Sequence, residues 1–231
     1  MAFGPKTCKA YKTIPIKINI SKTDITQVTH TKFLGVTVDE KLTWSLHINH
    51  VSQKVSKTIG ILYRAKRVLN VDSLKQIYNT LILPYFNYCT LIWGKASYCY
   101  LQLVIRAHKK IVRIITFSHF LEHTAPLFSQ LNIMSLDTLY TYQAAIFMFK
   151  YYSHSLPSTL HNWFDTNRAT HSYNTRHINV LYPTFTRTTR VKSHIRTQGP
   201  LIWNQIPEGI KTNRNIHTFK HNLRTYLLKI Q

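Results

Sequence analysis

Residues 44–67 read WSLHINHVSQKVSKTIGILYRAKR, and their apolar side chains recur at steps of three and four positions. This spacing is typical of an amphipathic α-helix with one apolar face. The predicted face comprises five aliphatic residues: Ile48, Val51, Val55, Ile59 and Leu62. We predict that this helix packs into a core through them and exposes its Lys and Arg side chains on the opposite side.

Similar patterns predict further helices along the chain. Asp72 and Ser73 are the predicted capping residues of a second helix over residues 74–82, and Pro84 is expected to end or kink it. Residues 166–207 are rich in Thr, Ser and β-branched residues, which favour short strands or irregular structure. The other predicted helices cover residues 101–115, 125–131, 136–152 and 216–228.

The N-terminal segment shows a period of two, because isoleucines at positions 14, 16, 18 and 20 alternate with other residues. Residues 25–29 and 32–38 are further predicted strands, and Gly35 within the last one indicates a β-bulge or a close approach to the backbone. We expect residues 14–38 to form a small antiparallel hairpin or a three-stranded unit. The predicted fold class is therefore mainly α with a small N-terminal antiparallel β hairpin (α+β), in which a helical bundle is followed by a basic C-terminal region.

The composition is strongly basic. The chain of 231 residues contains 30 Lys and Arg against 8 Asp and Glu, which gives a formal net charge of +22. Its hydrophobic content of 44% is enough to build a core and argues against wholesale disorder. Such a charge on a foldable chain indicates an anionic partner. Nucleic acid is the first candidate and a membrane surface the second, while a small structural protein of the ribosomal type is an alternative.

Basic residues opposite the apolar stripes are candidate contacts to backbone phosphates. A solvated surface is the ordinary explanation of such residues, but solubility alone does not require acidic residues to be nearly absent. Thr and Ser side chains between Arg187 and Arg196 can also bind phosphates. The predicted nucleic-acid-binding residues are Lys32, Lys54, Lys57, Lys109, Lys110, Arg113, Arg176, Arg187, Arg190, Lys192 and Arg196.

The histidine motifs are weaker evidence for a functional site than the basic residues are. Residues 119–123, HFLEH, match the H-x-x-E-H pattern of a class of zinc peptidases. No third ligand accompanies this match and Pro126 follows it closely, so we predict no metal site. His47 and His50 lie three positions apart on the first helix without a Cys or carboxylate to complete a site, and they are interpreted as solvated or phosphate-facing side chains.

Membrane insertion and disulfide bonding are both disfavoured. Residues 76–94 carry no formal charge and approach spanning length, but a buried helix pair broken at Pro84 explains them better. The three Cys residues lack any CxxC spacing, which predicts a reducing compartment and no disulfide framework.

The segment at residues 31–39, TKFLGVTVD, resembles the K-[FY]-L-G-V-x-[LIV]-D segment of reverse transcriptases from non-LTR retrotransposons, the LINE-like elements of the jockey type. The ordered series of matches, from about residue 31 to residue 228, is much more specific than any one member. The later segments that resemble the family are Leu42-Thr43-Trp44, Leu81-Ile82-Leu83-Pro84, Tyr88, Trp93-Gly94, Tyr173-Asn174-Thr175-Arg176, residues 199–207 (GPLIWNQIP), Phe219-Lys220 and Leu223.

This resemblance implies a C-terminal fragment of such an enzyme, with a primer-grip-like site at Phe33, Leu34 and Gly35. Because the sheet partners of residues 1–40 would lie in an absent part of the palm, we expect this segment to be poorly anchored. The implied domains are a palm-end β segment (residues 1–40), a thumb-like helical domain (41–130) and the basic C-terminal region of the element (131–231).

The resemblance also implies where catalysis would reside. The intact family enzyme holds Mg²⁺ with a Phe/Tyr-Ala-Asp-Asp strand and an upstream Asp. This chain has no adjacent Asp pair, and Asp39-Glu40 stands in the wrong place. We therefore predict no catalytic residue, no metal and no cofactor in this chain, and no polymerase activity of the chain alone. Residues 1–4 resemble the strand after the Asp pair, so the chain would begin downstream of the active site.

Three functional hypotheses stay open at this point. The first is a non-catalytic fragment of an RNA-directed DNA polymerase that contacts the phosphate backbone of a primer–template duplex. The second is one part of a split or truncated active reverse transcriptase, with the missing palm and fingers as its partner. The third is a relic with no retained role. The expected partners are RNA and DNA and not a membrane, and an expressed product is expected inside the cell, in the nucleus or cytoplasm.

Overall fold

The computed structural model of the chain describes residues 18–20, 23–25, 27–164, 181 and 186–231. Side chains are described throughout these ranges except at residues 18, 20, 23–25, 189 and 190. The predicted strand positions Ile14 and Ile16, the Tyr-x-Thr-Arg segment at residues 173–176 and the side chain of Arg190 therefore lie outside the described part.

Four short strands form two antiparallel pairs near the N-terminus. Strand β1 (Ile18–Ile20) pairs with β2 (Thr23–Ile25), and β3 (His30–Phe33) pairs with β4 (Val36–Asp39). The expected small antiparallel hairpin is thus confirmed.

The prediction of one strand over residues 32–38 with a bulge at Gly35 is wrong. Leu34 (φ 45°) and Gly35 (φ 81°) both adopt left-handed conformations and form a two-residue turn between β3 and β4. Two consecutive positive φ angles are the signature of a type I′ hairpin turn, which reverses the chain instead of bulging it.

The rest of the described chain is mainly helical, which confirms the predicted fold class. The helices of the first half are α1 (Ser45–Ala65), α2 (Val71–Leu81), α3 (Leu83–Asn87), α4 (Thr90–Trp93), α5 (Tyr98–Ile115), α6 (Thr124–Leu131) and α7 (Leu136–Tyr152). A 3₁₀ turn (Ser158–Leu160) is followed by α8 (Thr189–Lys192), α9 (Ile195–Gln205), α10 (Glu208–Lys211) and α11 (Ile216–Ile230).

Two local predictions around α2 have different outcomes. Pro84 lies in the first turn of α3, where its missing N–H costs nothing, so the break between α2 and α3 is confirmed. The cap of α2 was misassigned, because the side chain of Asn70 accepts the N–H of Ser73 (2.9 Å) and Asp72 lies within the first turn.

Helices α1 and α5 lie side by side and run parallel. The His47 ring, at the start of α1, is 5.9 Å from the ring of Trp93, which precedes α5. At the other end, the Lys66 ammonium lies 5.3 Å from the ring of Phe117, just after α5. The predicted apolar face of α1 is fully buried here, together with Leu74 of α2, in a first core that extends to Leu139.

A second core lies between α7, α9 and α11. Gly199 brings α9 close to α7, because an added Cβ would lie 2.7 Å from the sulfur of Met148. The prediction of strands or irregular structure for residues 166–207 is therefore wrong over α9, where this packing tolerates Gly199 and Pro200 inside a helix. Both cores include residues of α7, and the predicted domain boundaries stay predictions.

Candidate nucleic-acid interface

Helices α1 and α5 carry the predicted phosphate contacts on their outer faces. Lys54 and Lys57 of α1 and Lys109 and Lys110 of α5 are all exposed. Lys57, Lys109 and Lys110 lie on the sides of their helices away from the buried aliphatic residues, and Lys54 lies at the edge of the buried face of α1. Because α1 and α5 run parallel and in contact, the two pairs lie near the middle of the same two-helix unit. We call these four residues the lysine quartet.

None of the lysine quartet is paired with an acidic side chain within the described part of the chain. The ion pairs found there join Lys41 to Glu40 (3.9 Å), Lys95 to Asp137 (2.5 Å) and Lys211 to Glu208 (2.8 Å). A cation without a protein partner keeps its full charge available to an anion from solution. The quartet is therefore available to an anionic ligand on a single pair of packed helices.

Arg113 differs from its neighbours on α5. Its side chain is only half exposed, and its Nε donates to the backbone carbonyl of Glu122 (2.9 Å). This bond holds the loop that follows α5 against the end of the helix. Arg113 thus has a structural role in the free protein that sequence reasoning missed, and we leave it out of the quartet.

The remaining described cations of the predicted site are spread over other elements. Lys32 is exposed on β3, Arg187 precedes α8, Lys192 ends α8 and Arg196 lies in the first turn of α9, all of them exposed. The last three belong to the region that packs on the second core. Arg176 falls outside the described residues, as does the side chain of Arg190.

The predicted primer-grip-like residues form the tip of the β3–β4 hairpin. Phe33 and Leu34 are 66% and 75% exposed, so the tip presents apolar side chains to solvent. The Tyr88 hydroxyl donates to the Leu34 carbonyl, and the Tyr88 ring lies 3.4 Å from where a Cβ on Gly35 would stand. A tyrosine in the turn between α3 and α4 therefore contacts the exposed apolar tip of the hairpin.

The base of this hairpin is also tied to α1. The Asp39 carboxylate, which is buried, accepts the N–H of Thr43 (2.7 Å) just before α1 begins. The Thr37 N–H donates to Nδ1 of His47 (3.4 Å), and burial, with a smaller contribution from His50, lowers the pKa of His47 and favours this neutral, accepting form. The interpretation of His47 as solvated or phosphate-facing is therefore wrong, because its ring is buried, whereas the expectation that residues 1–40 are poorly anchored stays a prediction.

His108 of α5 lies at the centre of the first core. Its Nε2 shares a hydrogen bond with the Tyr78 hydroxyl (3.0 Å), and the rings of Phe86 and Phe128 lie 4.7 and 4.8 Å away. Burial lowers the pKa of His108 to about 3, so the ring is neutral near pH 7. This residue stabilises the packing beneath the lysine quartet and is not itself accessible to a ligand.

An aromatic pair that sequence reasoning missed stands where α1 and α5 end. The Lys66 ammonium lies 5.9 Å from the ring of Tyr63 and 5.3 Å from the ring of Phe117. Both rings are about half exposed, 57% for Tyr63 and 47% for Phe117. A tyrosine on a basic helix face is a weak signal in the sequence, and only the parallel arrangement of α1 and α5 brings it to Phe117.

Acidic, histidine and cysteine side chains do not gather into a cluster in the described part of the chain. No group of three or more His, Cys, Asp or Glu side chains within residues 27–164 and 186–231 lies in a position to hold a metal ion. The H-x-x-E-H match falls in the loop between α5 and α6, so its two histidines do not share a helical turn. Asp39, the acidic residue of the K-F-L-G-V segment, instead bonds Thr43.

No helix among the described residues is long and apolar enough to cross a membrane. The uncharged residues 76–94 are divided among α2, α3 and α4, as the break at Pro84 predicted.

Comparison with known proteins finds a relative among the proteins of transposons. The chain is 25% identical over 105 residues, 44% of its length, to a probable RNA-directed DNA polymerase from the transposon X-element of Drosophila melanogaster. The match spans only 12% of that protein. No protein-family model matches the chain, and no solved structure matches it. The similarity supports an origin related to the reverse transcriptases of transposons.

Proposed function

We propose that this chain is a non-catalytic C-terminal segment of a non-LTR retrotransposon reverse transcriptase, and that it holds duplex nucleic acid by the phosphate backbone. The distant relative is itself described as a probable RNA-directed DNA polymerase. Beyond this similarity, we propose that the first core acts like the thumb of a polymerase. We also propose that this segment carries no catalytic residues.

The observation that carries the proposal is the lysine quartet on α1 and α5. Two parallel helices place four exposed ammonium groups on one rigid unit, and none is neutralised by a described acidic side chain. Contacts to phosphates position a duplex without reading its sequence. The rigid core beneath the quartet, with His108 and its aromatic neighbours, keeps the charges at fixed separations, as binding to a regular backbone requires.

The positions of the acidic side chains support the proposal that this segment is not catalytic. Phosphoryl transfer with two metal ions needs carboxylates that converge on both ions. The described acidic residues are dispersed: Asp39 bonds Thr43, Asp137 pairs with Lys95, and Glu208 pairs with Lys211. The segment therefore contributes substrate holding to the proposed enzyme, and the catalytic carboxylates belong to another segment.

We expect the chain to bind unrelated B-form duplexes with similar affinity and with a strong dependence on salt. If roughly five phosphates are neutralised, the logarithm of the affinity should fall with the logarithm of salt concentration with a slope of about −4 to −5. Fluorescence anisotropy over a salt series, with two duplexes of unrelated sequence, measures both properties. A slope near zero, or strong preference for one sequence, would reject backbone holding as the function.

A further inference from the structure

The junction of Tyr63, Lys66 and Phe117 has a combination of features that packing alone does not explain. Phe117 occupies the position after the C-cap of α5 with φ 59°. Its N–H donates to Ile114 O (3.3 Å) and the N–H of Ser118 donates to Arg113 O (3.0 Å), which together form a Schellman motif. Glycine is the usual residue at this position because it adopts a left-handed conformation without strain.

The left-handed backbone at Phe117 is strained, and the partial burial of its ring offsets only some of the cost in free energy. A left-handed conformation is unfavourable for any residue that carries a Cβ. Phe117 remains 47% exposed, so a large share of its ring gains nothing from the core. Backbone strain of this kind is enriched at functional positions, and Phe117 is one of several described non-glycine residues with a positive φ. The neighbouring Tyr63 is likewise exposed on α1, where a smaller residue would serve the helix as well.

The electrostatic surroundings specify the ligand class. The Lys66 ammonium lies close to both rings, and Arg64 and Arg67, both exposed, are its neighbours in sequence at the same end of α1. The acidic side chain of the adjoining loop, Glu122, accepts the N–H of His119 (3.3 Å). Exposed aromatic rings interleaved with cations are the arrangement that binds unpaired bases by stacking and their phosphates by charge.

We propose that the junction of Tyr63, Lys66 and Phe117 binds single-stranded nucleic acid, with unpaired bases stacked on the two rings. The inference rests on the proposed function and refines it, because the junction lies at the end of the same helix pair that bears the lysine quartet. A strand that leaves the duplex at this end of α1 and α5 meets the aromatic pair. The lysine quartet then binds the backbone of the duplex, and the rings of the junction stack on the bases of the single strand.

The test compares an oligothymidylate with a duplex, both labelled with fluorescein. Tyr63→Ala and Phe117→Gly should each weaken oligothymidylate binding by about 5- to 100-fold, because stacking on an aromatic ring contributes on that scale per base. Duplex affinity should change by less than about 2-fold, since neither variant removes a charge. Tyr63→Phe should keep single-strand affinity, because the stacking face is retained.

The variants are chosen so that the folded state survives. Alanine favours the helical position of Tyr63, and glycine relieves the strain at residue 117. Tyr98→Ala is the matched control: Tyr98 is 66% exposed at the opposite end of α5. A 2-aminopurine base within the oligothymidylate adds a direct readout, because stacking on Tyr63 should quench its fluorescence and Tyr63→Ala should restore it.

Each outcome decides between the two claims. Unchanged oligothymidylate affinity in Tyr63→Ala and Phe117→Gly, or an equal loss on oligothymidylate and duplex, overturns the junction site. Duplex binding without any single-strand binding by the wild-type chain overturns the junction site and leaves the proposed function standing. Single-strand binding that depends on Tyr63, with no duplex binding, supports the junction and rejects duplex holding. Binding of neither probe overturns both.

Discussion

Replacing all four residues of the lysine quartet, Lys54, Lys57, Lys109 and Lys110, by alanine is expected to weaken duplex binding by on the order of 100- to 1,000-fold at about 0.1 M salt. Each lost phosphate contact removes close to 0.9 from the magnitude of the log–log salt slope, so four contacts remove up to about 3.6. The folded state should be little affected, because all four side chains are exposed and alanine favours helices.

The control is a second variant that has the same net charge as the quartet variant. Lys75, Lys150, Lys220 and Lys229 lie outside α1 and α5 and pair with no described acidic side chain, and their joint replacement by alanine also removes four positive charges. If the overall field of the protein governs binding, both variants should lose affinity equally. The quartet account requires a much larger loss, and a flatter salt slope, in the quartet variant than in the control.

Trp203→Ala is expected to destabilise the protein by about 3–5 kcal/mol, because it removes a large side chain from a close-packed core. Trp203 is buried in the second core, where its ring stacks on Tyr152 (centroids 5.0 Å apart) and lies 5.9 Å from the ring of Phe219. Phe219 in turn stacks on Phe149 of α7 (4.3 Å). The loss therefore weakens the contacts that hold α9 and α11 on α7.

Urea unfolding monitored by circular dichroism measures this change. Phe120→Ala is the matched control, since Phe120 is also a large aromatic residue but is 76% exposed, and it should change the free energy of unfolding by less than about 0.5 kcal/mol. A Trp203→Ala protein within about 1 kcal/mol of wild type would mean that the second core does not stabilise the fold as its packing indicates.

Helices whose buried face follows the helical period were predictable from the sequence. All five aliphatic residues assigned to the face of α1 are buried, and α5, α6, α7 and α11 lie within a few residues of their predicted bounds. Burial of the apolar face is the largest favourable contribution to the stability of such a helix. The spacing of the apolar residues in the sequence shows which face that is.

Features that depend on tertiary contacts were not predictable in this way. Helix α9 contains Gly199 and Pro200, which disfavour helix locally, and only the close approach to Met148 makes glycine the residue that fits. The turn at Leu34 and Gly35 was missed because an apolar residue seldom takes the first left-handed position of a hairpin.

The candidate site was predictable only as a set of charges. Exposed lysines on α1 and α5 follow from amphipathicity, but their common rigid unit follows from the parallel packing of two helices separated by more than 30 residues of sequence. The structural roles of Arg113 and His47 likewise depend on partners nine and ten residues away, Glu122 and Thr37.

The most direct test of the central claim is a lysine footprint of the wild-type chain, with and without a bound duplex. An amine-acetylating reagent followed by mass spectrometry reports how accessible each lysine is. If α1 and α5 hold the duplex, its binding lowers acetylation several-fold at Lys54, Lys57, Lys109 and Lys110, while Lys41 and Lys229 react as in the free protein. Protection spread evenly over all lysines, or confined to the C-terminal region, would contradict a duplex held by α1 and α5.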